Sequence, residues 1–223
     1  MVGSIQQVDT PADEFVLTYD DGPDPRHTTS ILNVLSDHGA TATFFVLLTK
    51  VRRAPALLAE VAAAGHEIAL HGIDHQRLTS MRPREVWART KAGRAELEDQ
   101  LGKEVRWMRP PYGAQTLATW AAIRRTGLTP VVWSGTLWDW KDVPHQQRID
   151  KAMSSARPGV ILLGHDSFPG PSDGAQLRAE PRVDRARLAG DVLSAYAGAG
   201  LRGRSLSGAL GNGEAEKWAW FSR

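Results

Sequence analysis

The stretch Phe15-Val16-Leu17-Thr18-Tyr19-Asp20-Asp21-Gly22-Pro23 decides how this chain is read. Its first five residues are apolar or β-favouring and read as a buried strand. Gly22-Pro23 then stops the strand and turns the chain. Asp20 and Asp21 are therefore held side by side where a strand ends and a loop begins. Adjacent carboxylates repel, so one of them calls for a metal, a proton or a cation nearby. An isolated Asp-Asp-Gly-Pro is also ordinary turn chemistry, and the rest of the chain has to choose between the two.

A second strand-like run, His66 to Leu70, leads into His71-Gly72-Ile73-Asp74-His75. Two histidines four apart can converge on one ion if the backbone turns between them, and Gly72 permits that turn. With a carboxylate at the end of an earlier strand, the set becomes two imidazoles and one carboxylate. Three protein ligands leave positions open for water and substrate, the arrangement of a catalytic rather than a structural zinc site. Two further blocks lie at strand ends: Arg109-Pro110-Pro111-Tyr112-Gly113, and Leu163-Gly164-His165-Asp166. Between them, Val131-Val132-Trp133-Ser134 leads into Trp138-Asp139-Trp140.

These blocks, in this order, resemble the polysaccharide deacetylases that share the NodB homology domain, a carbohydrate-esterase family. Thr18 to Pro23 resembles the first motif, with Tyr19 in place of Phe. His71 and His75 match the second, Arg109 to Tyr112 the third, and Leu163-Gly164-His165 the fifth. The fourth is half kept: Asp139-Trp140 match, but Thr136 stands where the family pattern has an Asp. The resemblance implies a distorted (β/α) barrel, a single divalent metal (zinc, with cobalt or another divalent ion as alternatives), and an acetylated carbohydrate as substrate. It implies Asp21, His71 and His75 as metal ligands, Asp20 as general base and His165 as general acid. It further implies that Arg109 orients Asp20, that Asp139 sets the His165 tautomer, and that the Tyr112 backbone N–H stabilises the oxyanion. Trp140 and Leu163 would wall the acetyl pocket, with Trp138 and Pro110 as further substrate-contact candidates. The activity expected is removal of acetyl groups from N-acetylated sugars of chitin or peptidoglycan type. The alternatives are an acetylxylan-type O-acetyl esterase or cyclic-amide hydrolase on the same fold, and a non-catalytic carbohydrate-binding relative.

The rest of the chain agrees with one catalytic domain. Strands are expected over 15–20, 42–47, 66–71, 105–109, 129–133, 160–165 and 202–206, alternating with helices over 28–38, 54–64, 83–101, 115–126, 145–156 and 182–199. Such alternation implies a parallel sheet covered by helices, and each motif then falls at a strand's C-terminal end, where barrel sites lie. Residues 1–14 read as an extension, 15–210 as the catalytic domain and 211–223 as a tail. The segment 168–181, rich in Gly, Pro, Ser and Asp, reads as a mobile loop near the site. The 223 residues carry 42% hydrophobic and 23% charged residues and a net charge of +2, too weakly basic for a nucleic-acid partner. With no cysteine, thiolate metal sites and disulfides are excluded. The polar start lacks a signal-peptide core and no membrane span is expected, so the sequence as written reads as a cytoplasmic monomer, or as a secreted or envelope protein if it is a piece of a longer chain.

Overall fold

The structure, a computed structural model, describes residues 2–221. Its centre is β2 (Glu14–Asp20), buried along its whole length. Parallel strands spread on both sides of it: β3 (Thr43–Leu47), β4 (Glu67–Gly72), β5 (Trp107–Met108) and β6 (Thr129–Pro130) on one flank, β8 (Ile161–His165) and β7 (Gly135–Thr136) on the other. The order is β6-β5-β4-β3-β2-β8-β7, and a further strand, β9 (Arg202–Arg204), pairs with the first half of β2. Among the described residues no ladder joins β6 to β7, so the sheet curls into an open, distorted barrel.

Side-chain alternation along the strands builds two cores. Phe15, Leu17 and Tyr19 point outward, with Phe44, Val46, Ile68 and Leu70, into a cluster shared with the helices. Tyr19 stacks on Phe44 at 5.3 Å between ring centres, and Phe15 meets Tyr196 at 4.2 Å. Those helices are α1 (Thr28–Asp37), α2 (Leu48–Val51), α3 (Pro55–Ala63), α4 (Pro83–Leu101), α5 (Leu117–Arg124), α6 (His145–Met153) and α7 (Arg185–Gly198). Val16, Phe45, Ala69 and Ile161 face the barrel interior. The interior is closed below by α8 (Leu206–Leu210), through Leu206 and Ala209, and by β1 (Ser4–Asp9), through Ile5 and Val8. Toward the C-terminal strand ends the interior positions turn polar: Thr18, Asp20, His71, Arg109 and His165.

Four differences from the sequence reading have physical causes. β5 and β6 are shorter than expected: Pro110 and Pro111 end β5, and after the Val131 N–H bonds Met108 the chain of β6 turns to β1, where the Val132 N–H donates to Ile5. The seventh strand of the curl is β7, too short to read as a strand; the expected strand over 202–206 stops at Arg204, where Ser205 caps α8 through the Gly208 N–H. α2 follows β3 without a break and was not expected. Residues placed in an extension and a tail are built into the fold: β1 pairs antiparallel with β10 (Glu214–Trp218). β1 also reaches into the gap beside β6, where Ile5 accepts the Val132 N–H at 2.8 Å.

Ile5 is 1% exposed and closes the barrel floor. Ile5→Ala should therefore cost about 2–5 kcal/mol, the range for emptying a packed aliphatic site. Urea unfolding measures this, and a loss under about 0.5 kcal/mol would mean that β1 only decorates the surface.

Candidate active site

Strand ends and the loops after them bring the motif residues to one cleft of about 310 Å³, lined among others by Asp20, Asp21, His71, His75, Tyr112, Trp140, Leu163 and His165. β2 ends on Asp20, whose side chain points inward like Thr18 before it. The chain then breaks from strand geometry: Asp21 takes φ 77°, a conformation rare outside glycine. Gly22 follows because nothing larger fits; a Cβ there would collide with the Asp166 carboxylate. After β4, Gly72 at φ 156° makes the turn that lets His75 come back beside His71, and a Cβ would sit 2.7 Å from the Asp74 carbonyl oxygen.

Asp21 Oδ1 lies 3.4 Å from His71 Nε2 and 3.3 Å from His75 Nε2. Donors held about 2.1 Å from a tetrahedral ion stand about 3.4 Å apart, so the two edges from Asp21 suit one small cation, and all three donor atoms lie within 4.8 Å of one another. All three residues are buried, and Asp21 Oδ1 has no hydrogen-bond partner among the described residues, an orphaned acceptor of the kind that costs free energy unless something fills it. The tautomer of His71 is also set: its Nδ1 is 2.8 Å from the Arg109 carbonyl oxygen, so Nδ1 carries the proton and Nε2 presents its lone pair. Burial, with the nearby His71 and His165, pushes the His75 imidazole down to about 4, leaving it a neutral donor. Burial alone would raise the Asp21 carboxyl, but the adjacent His75 and His71 rings outweigh it and hold the group well below the usual carboxylate range, so it stays an anion. The donor set fits a divalent metal.

Asp20 stands beside this triangle with a different partner. Its Oδ1 accepts from Arg109 Nη1 at 2.6 Å, while Oδ2 lies 4.0 Å from His71 Nε2. Arg109 is fully buried inside the barrel. It also donates to Thr18 Oγ1 and the Val132 carbonyl, and its guanidinium lies 4.1 Å over the Phe45 ring.

His165, at the end of β8, is held by Asp139 twice: His165 Nδ1 is 2.8 Å from Asp139 Oδ1, and the His165 backbone N–H donates to Oδ2 at 2.6 Å. Burial opposes charge on this imidazole, but the Asp139 carboxylate and its hydrogen bond, helped by Asp21 and Asp20, raise it from 6.5 to about 9. Trp140 meets its ring edge-on at 5.4 Å.

Of the other expected contacts, Leu163 and Trp140 line the cleft, and Tyr112 does so at φ 62° with its ring 4.3 Å from that of His75. Two do not. Trp138 is turned away, its indole between the Lys141 and Lys151 ammonium groups at 3.8 and 5.2 Å. Pro110 is buried beneath the loop, its carbonyl accepting the Gly113 N–H. The aromatic wall is supplied instead by Trp133, which had read only as strand, and by Phe168. Thr136, which replaces a family carboxylate, accepts the Trp138 N–H at 3.3 Å and so caps the turn that delivers Asp139. Residues Phe168, Pro169, Ala175, Gln176, Arg178 and Ala179 make the loop a cleft wall. Its midpoint is pinned by Asp173, which is buried, pairs with Arg53, accepts from Thr49 and offers its carbonyl to the His75 N–H at 2.6 Å. Arg185 was also missed: it is buried, lines the cleft and donates to Asp139 Oδ2. The helix was expected from residue 182, but it starts at Arg185, after the Asp184 cap.

The sequence profile of the polysaccharide deacetylase family matches residues 7–131. The chain belongs to the polysaccharide deacetylase family. It is 36% identical over 154 residues to a chitooligosaccharide deacetylase of Bradyrhizobium sp. (strain ANU 289), covering 69% of this chain and 70% of that one. It is 35% identical to the peptidoglycan-N-acetylglucosamine deacetylase PgdA of Listeria monocytogenes, over 67% of this chain but only 32% of that protein. In three dimensions it resembles the peptidoglycan deacetylase PdaC of Bacillus subtilis, with a TM-score of 0.75 at 26% identity over 92% of this chain and 93% of that one. A pseudoenzyme of the same esterase family from Bacillus anthracis superposes with a TM-score of 0.82 at 17% identity, over 97% of this chain and 72% of that one, which shows the fold alone. The relatives at 35–36% identity are named deacetylases, hydrolases acting on N-acetyl groups, and the chain is an enzyme of that class.

The Asp139–His165 pair makes stability depend on pH. Folding raises the imidazole from 6.5 to about 9, so its contribution is complete below 6.5 and is lost as pH rises through 9. Metal-free protein should lose unfolding free energy across that window, and Asp139→Asn should flatten the loss. Equal slopes in urea titrations of the two proteins would break the assignment.

Proposed function

We propose that the chain removes acetyl groups from N-acetylated sugars with the help of a divalent ion, most consistent with zinc, held by Asp21, His71 and His75. The observation that carries this is the meeting, in one cleft, of a buried donor triangle with two titratable groups, Asp20 and His165, each paired with a separate partner, Arg109 and Asp139. Two imidazoles and one carboxylate suit zinc, with cobalt as a substitute. When bound, such an ion supplies Lewis acidity to the acetyl carbonyl and to the attacking water.

The remaining chemistry belongs to the chain. Asp20, anchored through Oδ1 by Arg109, takes the proton of the attacking water at Oδ2, the oxygen that faces His71. His165, kept protonated by Asp139, delivers a proton from Nε2 to the leaving nitrogen, since Nδ1 is already engaged. The Tyr112 backbone N–H donates to the oxygen that gains charge. Leu163, Trp133 and Trp140 exclude water around the methyl group. A glycan with N-acetylglucosamine units is the substrate class that the relatives named above support.

Release of acetate from chitin oligomers, peptidoglycan and acetylated xylan tests the reading; release from xylan alone would replace it with an esterase. Exhaustive chelation should abolish turnover, and added zinc or cobalt should restore it. Asp20→Asn should keep its metal and lose on the order of 10²–10⁴ in rate. Asp21→Asn should instead lose metal affinity, read directly as metal content after dialysis. If both variants lose metal alike, the division of labour between the two carboxylates is wrong.

A further inference from the structure

Arg185 opens α7, immediately after the loop that walls the cleft, and it folds back onto the start of that loop. Its Nη1 donates to Asp139 Oδ2 at 3.1 Å and to the His165 carbonyl oxygen at 2.9 Å. One nitrogen thus ties both members of the pair together. The side chain is 2% exposed, and its Nε and Nη2 have no hydrogen-bond partner among the described residues. A guanidinium is expensive to bury with so few contacts. The contact to Asp139 is the one that offsets this cost, and its place beside the acid is what a merely structural arginine would not need.

We propose that Arg185 is a positioning residue of the acid: it locks the Asp139 carboxylate against His165 and shares that carboxylate's charge. Asp139 faces three donors. Oδ1 meets the imidazole, and Oδ2 is divided between the His165 backbone N–H and Arg185. With Arg185 in place the carboxylate cannot rotate, and the imidazole is held with Nε2 toward the cleft. With part of the carboxylate's charge balanced by Arg185, the imidazolium is bound firmly enough to stay protonated and loosely enough to release its proton to the leaving group. The titratable and charged groups facing His165 are Asp139 from the segment after β7, Arg185 from α7, Asp20 and Asp21 from the end of β2, and the neutral His75 from the loop after β4. Asp166 follows it in sequence and is turned to Thr28. Arg185 is the one cation in that set.

Removing the cation leaves Asp139 balanced by the imidazolium alone, which makes His165 harder to deprotonate and a weaker acid. Arg185→Met should therefore lower kcat on the order of tenfold near neutrality with KM little changed, and move the alkaline limb of the pH–rate profile upward. Arg185→Lys, which keeps the charge, should return the limb toward its original position. An NMR titration of the His165 ring in metal-free protein should show the same upward shift in Arg185→Met. An alkaline limb that stays put or moves down in folded Arg185→Met would overturn the proposal, and so would a limb that Lys fails to restore.

Should Arg185→Met not fold, the Asp139→Asn background decides. If Arg185 acts through Asp139, adding Arg185→Gln there should change kcat no further, whereas independent losses that multiply would refute it. The inference rests on His165 being the acid, and the two failures are separable. A His165→Ala protein with full activity sinks that assignment, whereas an inactive His165→Ala beside an unaltered Arg185→Met sinks this inference alone.

Discussion

The buried pair between Arg109 and Asp20 is the interaction on which the site depends. A guanidinium inside a barrel lined by Val16, Phe45, Ala69 and Ile161 would be ruinous without a partner. Asp20 supplies the charge at 2.6 Å, Thr18 and the Val132 carbonyl take further donors, and Phe45 offers its ring face. Replacing such a pair by apolar groups can be neutral, but removing one partner alone costs about 3–5 kcal/mol. The arrangement therefore commits the carboxylate to one place. Arg109 also acts through its backbone, because its carbonyl takes the His71 Nδ1–H. One residue thus aims the His71 ring with its main chain and anchors the Asp20 carboxylate with its side chain.

Backbone strain collects at the same end of the barrel. Asp21, Tyr112 and Trp138 are the non-glycine residues with positive φ among the described residues, at 77°, 62° and 53°. Each sits in the segment that leaves a strand and enters the site. Such conformations cost on the order of 1–3 kcal/mol each and persist where the surroundings over-determine them. At Asp21 the strain turns the second carboxylate toward the imidazoles while the first stays with Arg109. At Trp138 it swings the indole out to Lys141 and Lys151 and leaves Asp139 pointing in.

How much of this was legible follows from which residues announce their surroundings. The alternation of apolar runs with helix-like stretches gave the barrel, and Asp20, Asp21, His71, His75 and His165 announced themselves by lying at strand ends. Short elements were not legible: β7 has no periodicity to read, and β1 and β10 are polar, edge-like strands whose partner lies at the far end of the chain. Side-chain direction was not legible either. Trp133, Trp138 and Trp140 are equivalent by residue type, and only the turn capped by Thr136 decides which of them faces the cleft. Arg185 carries no motif at all, because its role comes from a loop that returns the chain to His165.

The register of the central strands poses a problem that the surrounding charges resolve. Asp20 and His165 are neighbours across the β2–β8 ladder, and the proposed mechanism uses one as a carboxylate and the other as an imidazolium. Left alone they would form an ion pair and cancel each other's chemistry. Instead each is already engaged from the opposite side. Arg109, carried beyond β5, draws Asp20 toward the β4 flank, and Asp139, carried beyond β7, draws His165 the other way. The space between them is the cleft, with Asp21 and its imidazoles along one edge. Asp20 and His165 stay apart because each has a fixed partner of its own, and an open barrel provides two flanks from which to supply those partners.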